Sequence, residues 1–512
     1  MKISITDNYK IIVIFISIFS FLISVWQSTY IYDSHHWGLM ASNAFDFLNN
    51  KMPYEEIFIQ YGILTTIIHS IFMKIGNQSV LSIFFFTSLI YSISIYYFFL
   101  ILKNKFQDQM ALFAVVCLVL IHPFVNHPWH NYLTFFFLIM SLFFLEKDNR
   151  KDNLIAGLFF SFAVLAYEKF LIVFIFFLIG YAFINLRNKK IKNILFLLIG
   201  FSLPIFIFFT YIIFNEIFDD WMKYHSISNF YIGENPIIVI LKFLKNIFLI
   251  GVKRFIFEPY WIFFLFLLII NITFICMFVI KKNFLKKEEE YLVYISLISI
   301  SSFSSAIHAL NSFRLATGAI IGIFILIHFL KKIKNIESTK IISLSLIVLL
   351  CLGVNLKKSE NNKLFITPIS FESYSNDKIQ FFKNLKFNKD TWSHMLYFDQ
   401  KINEINQKCK NVNFAINYTN NNYYYLLISD VFETFQVKPG INTQNTLDML
   451  TLELINPNLE SNLQNKINKN STIIVADLSY KVPKNYSYIN LPYSYENKYK
   501  IILIPKKCKN II

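Results

Sequence analysis

Charged residues are scarce in this sequence. Of its 512 residues, 16% are Asp, Glu, Lys or Arg, whereas 55% are hydrophobic and 18% are aromatic. A soluble protein usually carries about 25% charged residues, so the composition argues against an ordinary soluble fold. Long apolar runs alternate with short clusters of Lys and Arg, which is typical of a protein that crosses a membrane many times. The net charge of +16 does not indicate nucleic-acid binding, because the sequence has no separate basic domain.

Cysteine is also rare, and its spacing does not suit a metal site. The chain has five cysteines and no CxxC pair. Cys117, Cys276 and Cys351 lie in apolar runs, where cysteine behaves as a small hydrophobic residue. Cys409 and Cys508 are the two that lie outside those runs.

The apolar runs predict the membrane spans. A helical span needs about 20 apolar residues. The run at 11–25 is followed by no small-residue cleavage site, so it predicts an uncleaved span rather than a signal peptide. The length criterion gives about eleven spans in all. As an alternative, 153–168 and 169–186 could form one long broken segment. The predicted spans are 11–30, 79–102, 107–122, 130–146, 153–168, 169–186, 192–214, 258–280, 290–308, 313–330 and 339–355.

The loops between these spans predict the orientation. Lysine and arginine accumulate in alternate loops, at 103–105, 147–151, 187–192, 281–287 and 331–340. Basic loops stay in the cytoplasm, so we expect a multi-pass protein of the inner (plasma) membrane with its N-terminus inside. Residues 356–512 then lie outside. The loop 215–257 is also basic, but long loops follow this rule poorly.

The composition changes after residue 355, where polar residues become frequent. Short β-rich runs occur at 411–417, 423–429, 472–476 and 499–504, with helix-like stretches between them at 394–408 and 444–452. This pattern predicts an extracytoplasmic α/β domain at 356–512. The fold class is therefore an α-helical polytopic membrane domain, residues 1–355, followed by an external α/β domain.

The first external loop, 31–78, holds the strongest candidate for a catalytic residue. Asp33 follows the first span directly, and a carboxylate at the membrane boundary can have a raised pKa and act as a general base. Residues 37–48 place apolar side chains at helical spacing, with polar ones on the other side, which predicts an interfacial amphipathic helix. Residues 62–76 form an apolar stretch that is short for a span.

These features resemble the GT-C superfamily of membrane glycosyltransferases, which includes protein O-mannosyltransferases, the lipid A aminoarabinose transferase and many bacterial members. The resemblance rests on Asp33–Gly38 (DSHHWG), on Pro53-Tyr54 and Tyr61-Gly62 before a short apolar helix, and on Ala156–Lys169 (AGLFFSFAVLAYEK). A late external arginine, Arg314, matches the family pattern as well. The resemblance covers about the first 330 residues.

The resemblance implies a transferase that uses a sugar linked to polyprenyl phosphate. Asp33 would be the base, and Lys169 and Arg314 would bind the donor phosphate as negative charge develops on it. Such a reaction inverts the anomeric centre and needs no cofactor. The acceptor would be a glycan, lipid or protein of the cell envelope.

Other polar residues on the same side are candidates for lining the substrate site: His35, His36, Glu55, Glu56, Tyr61, His130 and Asn131. As an alternative, the histidines and glutamates of the first loop could form a divalent metal site together with Asp33. They are equally explained by hydrogen bonds within the loop and by capping of the turn at 56–61.

A transporter or flippase of lipid-linked saccharides is the alternative function. Transporters place paired charges or Gly/Pro breaks in the middle of the membrane. Here the unusual polar residues lie at the outer ends of spans, which favours an enzyme. A non-catalytic scaffold is a third possibility, which the polar and aromatic first loop does not favour.

Cys409 precedes the β-rich run 411–417, and Cys508 follows the run 499–504. If these two strands are antiparallel neighbours, the cysteines come together. Both are expected outside the cytoplasm, where disulfides persist. The sequence therefore predicts a Cys409–Cys508 disulfide.

Overall fold

The computed structural model describes most of the helical part of the chain and parts of the C-terminal region. The described residues up to 222 are 5–30 and 34–222, with the exception of 56, 58, 60 and 126. After residue 222, the described residues are 245, 260–280, 287–306, 312–332, 347, 374–375, 380–387, 389–409, 413–416, 472–477, 484, 486–491, 500–506 and 508. For residues 34–39 this description extends to the backbone alone.

Up to residue 332, most of the described residues belong to α-helices. The helices are α1 (Ile5–Ser28), α2 (Ser34–Leu48), α3 (Ile63–Ile75), α4 (Val80–Lys105), α5 (Asp108–Ile121), α6 (His130–Leu145), α7 (Arg150–Ala166), α8 (Phe170–Arg187), α9 (Ile191–Phe214), α10 (Tyr260–Ile280), α11 (Lys287–Ser302), α12 (Ser312–Ala316) and α13 (Ile323–Lys332).

Helices of sufficient length and hydropathy identify the chain as a multi-pass helical membrane protein. Among the described residues, five stretches meet both requirements: Asn8–Ser28, Val80–Lys105, Phe170–Arg187, Ile191–Phe214 and Ile262–Ile280. Each predicted span up to residue 308 contains a helix, and the adjoining pair 153–168 and 169–186 consists of two helices, α7 and α8. The predicted span 339–355 lies almost wholly outside the described residues, so the number of spans stays a prediction.

The predicted span 313–330 is not one continuous helix. It consists of the five-residue helix α12, a 3-10 turn at Ala319–Gly322 and the helix α13. Between the two helical pieces, Ser299 on α11 donates a hydrogen bond to the carbonyl of Ala319 at 2.8 Å. A side chain of a neighbouring helix therefore satisfies one of the carbonyls that the break exposes, as a broken helix in an apolar environment requires.

Two glycines allow α7 and α9 to pack closely. A Cβ atom on Gly157 would overlap with the backbone of α9 at Leu197, and one on Gly200 would overlap with the backbone of α7 at Leu154. Small residues at a crossing are the usual means by which helices approach each other in membranes. Gly157 belongs to the segment that resembles the GT-C pattern, and its role in this structure is helix packing.

One end of the helical bundle is rich in ion pairs, and we call it the basic end. Its pairs are Lys103–Asp108 at 2.9 Å, Lys105–Glu146 at 3.5 Å, Lys332–Glu289 at 2.6 Å and Lys190–Asp148. Amide side chains link the loops at this end, because Asn104 donates to Glu146 and Asn188 donates to Glu290. The basic loops of the sequence therefore meet at the same end of the bundle.

Helix α2 differs from the predicted interfacial helix. Met40, Ala41 and Ala44 are buried, as expected, but Asn43 and Asp46 of the predicted polar side are buried too. Asp46 is compensated by an ion pair with Lys51, 2.9 Å away. The prediction of an exposed polar face was wrong, because the polar side chains of α2 find partners within the protein.

The C-terminal region contains helix α14 (Lys389–Lys408) and two small sheets. Strands β1 (Tyr374–Ser375) and β2 (Lys386–Phe387) pair with each other. Strands β3 (Asn413–Ile416), β4 (Thr472–Asp477), β5 (Tyr486–Asn490) and β6 (Lys500–Pro505) form a mixed sheet in the order β3-β4-β6-β5. The predicted strand 423–429 and helix 444–452 lie outside the described residues.

Cys409 and Cys508 form a disulfide with Cα atoms 5.6 Å apart. The prediction assumed that the strands beside the two cysteines are neighbours. In the structure they are not, because β4 lies between β3 and β6. Cys409 instead follows the end of α14, and the amide of Cys409 donates to the carbonyl of Ile405. The bridge therefore ties the end of α14 to the turn after β6.

The C-terminal region contacts the helical bundle near the ends of α1 and α2. The amide of Lys386 donates to the carbonyl of Thr29 at 2.6 Å, and the Lys386 ammonium lies 5.1 Å from the ring centroid of Tyr30. Phe381 packs edge-on against Phe45, with centroids 4.9 Å apart. These contacts hold the segment 380–387 against the end of α1, just before Asp33 in the sequence.

Candidate active site

Four loops or helix ends meet at the N-terminal end of α6. They bring together Tyr61, Trp129, His130 and Tyr167, which we call the aromatic cluster. Tyr61 stacks on His130 with centroids 3.9 Å apart, and Trp129 contacts Tyr61 edge-on at 4.7 Å. Tyr167 lies 4.2 Å from His130. Trp129, His130 and Tyr167 are buried and Tyr61 is half-buried, so Tyr61 is the aromatic ring of the cluster that a sugar could reach.

The backbone around Gly62 sets the position of Tyr61. A Cβ atom on Gly62 would overlap with the carbonyls of Leu165 and Ala166. The Thr65 hydroxyl, one helical turn later, donates to the carbonyl of Ala166 at 2.9 Å. Only glycine permits this close approach, and as a result Tyr61 lies against the turn that carries Tyr167 and Lys169.

The loop that precedes α6 is anchored to α1 and α4. Ser20 on α1 donates to the carbonyl of Pro123 at 2.7 Å, and Ser24 accepts from the amide of Val125 at 3.0 Å. Tyr91 on α4 donates to the carbonyl of His122 at 2.7 Å. The His122 ring is bonded to the Tyr132 hydroxyl at 2.7 Å. His122 therefore fixes the loop, whereas His130 belongs to the aromatic cluster and His127 contacts its member Trp129.

Two cations lie beside the aromatic cluster. Arg314 on α12 is buried, with 6% of its surface exposed. Its Nη1 donates to the carbonyl of Ser305 at 3.3 Å, and its guanidinium lies over the ring of Phe313 at 5.6 Å. Phe313 in turn contacts His127 at 5.1 Å. Arg314 is thus packed against the elements that carry the cluster.

Lys169, at the start of α8, is the second cation, and part of its side chain reaches the protein surface. Desolvation by the surrounding protein and the positive charge of Arg314 lower the pKa of Lys169 to about 8. Burial raises the pKa of Tyr167 to about 12, and the charge of Arg314 opposes this rise. Arg314 is therefore close enough to act on both residues. Two cations that repel each other form a site that an anion would stabilise.

Glu168 does not neutralise Lys169, although it is adjacent in the sequence. The Tyr54 hydroxyl donates to Oε1 of Glu168 at 3.3 Å, and the amide of Glu168 donates to the carbonyl of Tyr61 at 3.3 Å. The charge that acts on the pKa of Lys169 is that of Arg314. Within the described residues, Lys169 therefore has no acidic partner.

The other candidates from the sequence have different outcomes. Asp33 and Glu56 lie outside the described residues, as do the side chains of His35 and His36. Glu55 is exposed, and Asn131 is 2% exposed. In the part of the chain that the structure describes, no group of three or more potential metal ligands occurs, and the proposed metal site involves residues beyond that part.

Two members of this site were not predicted from the sequence. Tyr167 lies within the AYEK segment, directly before Glu168 and Lys169. Tyr54 follows Pro53 in the first loop. Both belong to motifs that the resemblance highlighted, and that proximity was the available signal. Their contacts with His130 and Glu168 depend on packing between distant loops, which a single sequence does not reveal.

The fold and the site together define a multi-pass membrane protein with a cationic, aromatic-lined site at helix ends. Residues 62–214 match the family described as dolichyl-phosphate-mannose-protein mannosyltransferase. This segment runs from α3 to α9 and includes His130, Tyr167 and Lys169, but neither Asp33 nor Arg314. The search of curated proteins found no match. The family match supports a membrane glycosyltransferase of the GT-C type.

Proposed function

We propose that this protein transfers a sugar from a polyprenyl-phosphate donor to a glycan, lipid or protein of the cell envelope. The observation that carries the proposal is the pair Lys169 and Arg314. Two different helices, α8 and α12, bring these cations within electrostatic range of each other beside the aromatic cluster. A donor phosphate would relieve their mutual repulsion and form charge-assisted hydrogen bonds with both.

The reaction requires few groups, because the leaving group is already a phosphate. The acceptor hydroxyl or amine attacks the anomeric carbon, and the bond from that carbon to the phosphate oxygen breaks on the opposite side. The proton of the acceptor passes to Asp33, the proposed base. Lys169 and Arg314 stabilise the negative charge that develops on the departing phosphate. The configuration at the anomeric carbon is inverted.

The aromatic cluster is the proposed binding surface for the transferred sugar. Tyr61 is half-buried and would contact the sugar, while the buried rings of Trp129 and His130 pack against Tyr61 and hold it in place. Asn131 follows in the first turn of α6. The Oδ1 atom of Asn131 is buried and accepts no hydrogen bond within the described residues. A sugar hydroxyl would supply the missing donor.

The proposed orientation places the basic end in the cytoplasm of the inner (plasma) membrane and the C-terminal region, residues 356–512, outside. The positive-inside rule supports it. The Cys409–Cys508 disulfide supports it independently, because structural disulfides persist outside the cytoplasm. The segment 380–387 then holds the external region against the end of α1, close in sequence to Asp33.

Mass spectrometry of envelope glycans and lipids, with and without the gene, tests the proposal. The expected result is the loss of one sugar from one envelope component, with accumulation of the corresponding lipid-linked sugar. Restoration by the wild-type gene, but not by a Lys169→Met variant, would tie the loss to this site. An unchanged set of glycans and lipids would contradict the proposed function.

A further inference from the structure

Lys169 has an acidic neighbour that would interfere with its proposed role. A carboxylate within about 4–6 Å of an ammonium raises the pKa of the ammonium, and it would also compete with a phosphate for the same cation. Glu168 is adjacent to Lys169 in the chain, so an ion pair between them would need little more than side-chain rotation. The structure shows Glu168 held elsewhere.

Two hydrogen bonds link Glu168 to the first external loop. Its amide is bonded to the carbonyl of Tyr61, and its carboxylate accepts from the Tyr54 hydroxyl, each at 3.3 Å. The first bond fixes the backbone, and the second draws the carboxylate toward the loop before α3. The Tyr54 hydroxyl therefore helps to determine where this carboxylate points.

Tyr54 is itself firmly held by its surroundings. It is 2% exposed and has a φ of 64°, in the left-handed region that a non-glycine residue occupies at a cost of about 1–3 kcal/mol. The turn is closed by hydrogen bonds of 3.1 Å, one from the Tyr54 amide to Ile57 and one from the Ile57 amide to Met52. Its ring packs edge-on against Phe208 of α9 at 6.4 Å. The strained turn therefore presents the hydroxyl in one position.

We propose that Tyr54 is a positioning residue that holds the Glu168 carboxylate away from Lys169, so that the Lys169 ammonium remains available to an anion. This inference rests on the proposed function for its biological meaning, though not for its test. Arg314 acts on Lys169 electrostatically, and Glu168 is the acidic neighbour of Lys169 in the chain. We expect the loss of the Tyr54 hydroxyl to release the Glu168 carboxylate.

The test measures the pKa of Lys169 directly, without any substrate. Purified full-length protein is treated with trace acetic anhydride at a series of pH values, and acetylation of Lys169 is followed by mass spectrometry. Wild type should give a midpoint near the pKa of about 8. Tyr54→Phe should raise it by about 1 or more, because the freed carboxylate approaches the ammonium. Labelling at pH 8 should then fall about fivefold, since the neutral fraction drops from about one half to about one tenth.

Two further variants separate the proposed effect from general disruption. Adding Glu168→Gln to Tyr54→Phe should return the midpoint to the wild-type value, because the released carboxylate is gone. Tyr211→Phe is the matched control. The Tyr211 hydroxyl contacts Met52 at 3.6 Å, and the Tyr211 ring packs beside the turn that carries Tyr54. No hydrogen bond of the described residues joins Tyr211 to Glu168. This control should leave the midpoint unchanged. An unchanged midpoint in Tyr54→Phe, or one that Glu168→Gln does not restore, would overturn the inference.

Activity measurements link the inference to the proposed function. With a polyprenyl-phosphate sugar as donor, Tyr54→Phe should raise KM for the donor more than it lowers kcat, and Glu168→Gln should reverse the effect. A wild-type protein that does not use the donor would contradict the proposed function, while a shifted Lys169 midpoint would still support the positioning role of Tyr54. The two failures are therefore distinguishable.

Discussion

The pH dependence of donor use should reveal the protonation of Lys169. Its pKa is lowered to about 8 by desolvation and by Arg314. In the proposed mechanism the charged form binds the donor phosphate, so binding should be fully present below this pKa and be lost as the pH rises through it. The profile of kcat/KM reports the pKa values of the free enzyme, so its alkaline limb should have a midpoint near 8.

The size of the effect follows from the same value. At pH 9 about one Lys169 in ten is charged, so kcat/KM for the donor should fall about tenfold for each pH unit above the midpoint. Replacing Lys169 with Met removes one charged hydrogen bond, which contributes about 1.5–3 kcal/mol. The corresponding loss in kcat/KM is about 10- to 150-fold, and it should be independent of pH in this range.

The assay follows sugar transfer from a lipid-linked donor in detergent between pH 6.5 and 10. Lys169→Arg should keep some activity and lose the limb near pH 8, because arginine stays charged throughout this range. Lys74→Met, which alters an exposed lysine in α3, is the control and should retain the wild-type profile. A wild-type profile that is flat to pH 10, or a Lys169→Met variant with full activity, would refute the reasoning.

Three further predictions concern the base, the helix packing and the disulfide. Asp33→Asn should abolish transfer while membrane insertion stays normal, and full activity in this variant would exclude Asp33 as the base. Gly157→Leu should separate α7 from α9 and destabilise the protein by about 1–3 kcal/mol through overpacking. The loss should be seen as a lower midpoint of thermal unfolding in detergent. Leu158→Ile, which leaves the crossing glycine in place, is the control. Cys409→Ser should destabilise the C-terminal region by up to about 4–5 kcal/mol in the chain-entropy estimate, measured by proteolysis. Cys508→Ser should match it, and unequal effects would contradict a shared bridge.

The helices were the part of the fold that the sequence predicted best, because the length of an apolar run reflects the length of a span. The break in 313–330 was not predicted, since its composition is mostly apolar and the break depends on contacts with α11. Helix α2 was misjudged for a related reason. The buried Asp46 is compensated by Lys51 across a turn, and a periodicity argument cannot anticipate such a partner.

The sequence predicted which residues belong to the candidate site better than it predicted how they are arranged in space. Lys169 and Arg314 were chosen from a resemblance, and their proximity depends on how α8 and α12 pack. The cysteines were paired from their positions outside the apolar runs, yet the assumed strand order was wrong. The contact between Tyr54 and Glu168 joins residues more than a hundred positions apart, and no local pattern in the sequence encodes it.

Transfer of a labelled sugar from polyprenyl phosphate by the purified protein tests the central claim most directly. The protein is reconstituted in lipid vesicles with a synthetic polyprenyl-phosphate sugar and an extract of envelope acceptors, and free polyprenyl phosphate is quantified. The account predicts release of polyprenyl phosphate with the sugar attached to an acceptor, in wild type but not in Asp33→Asn. An intact donor that merely moves between the two leaflets of the vesicle would contradict it and would identify a transporter instead.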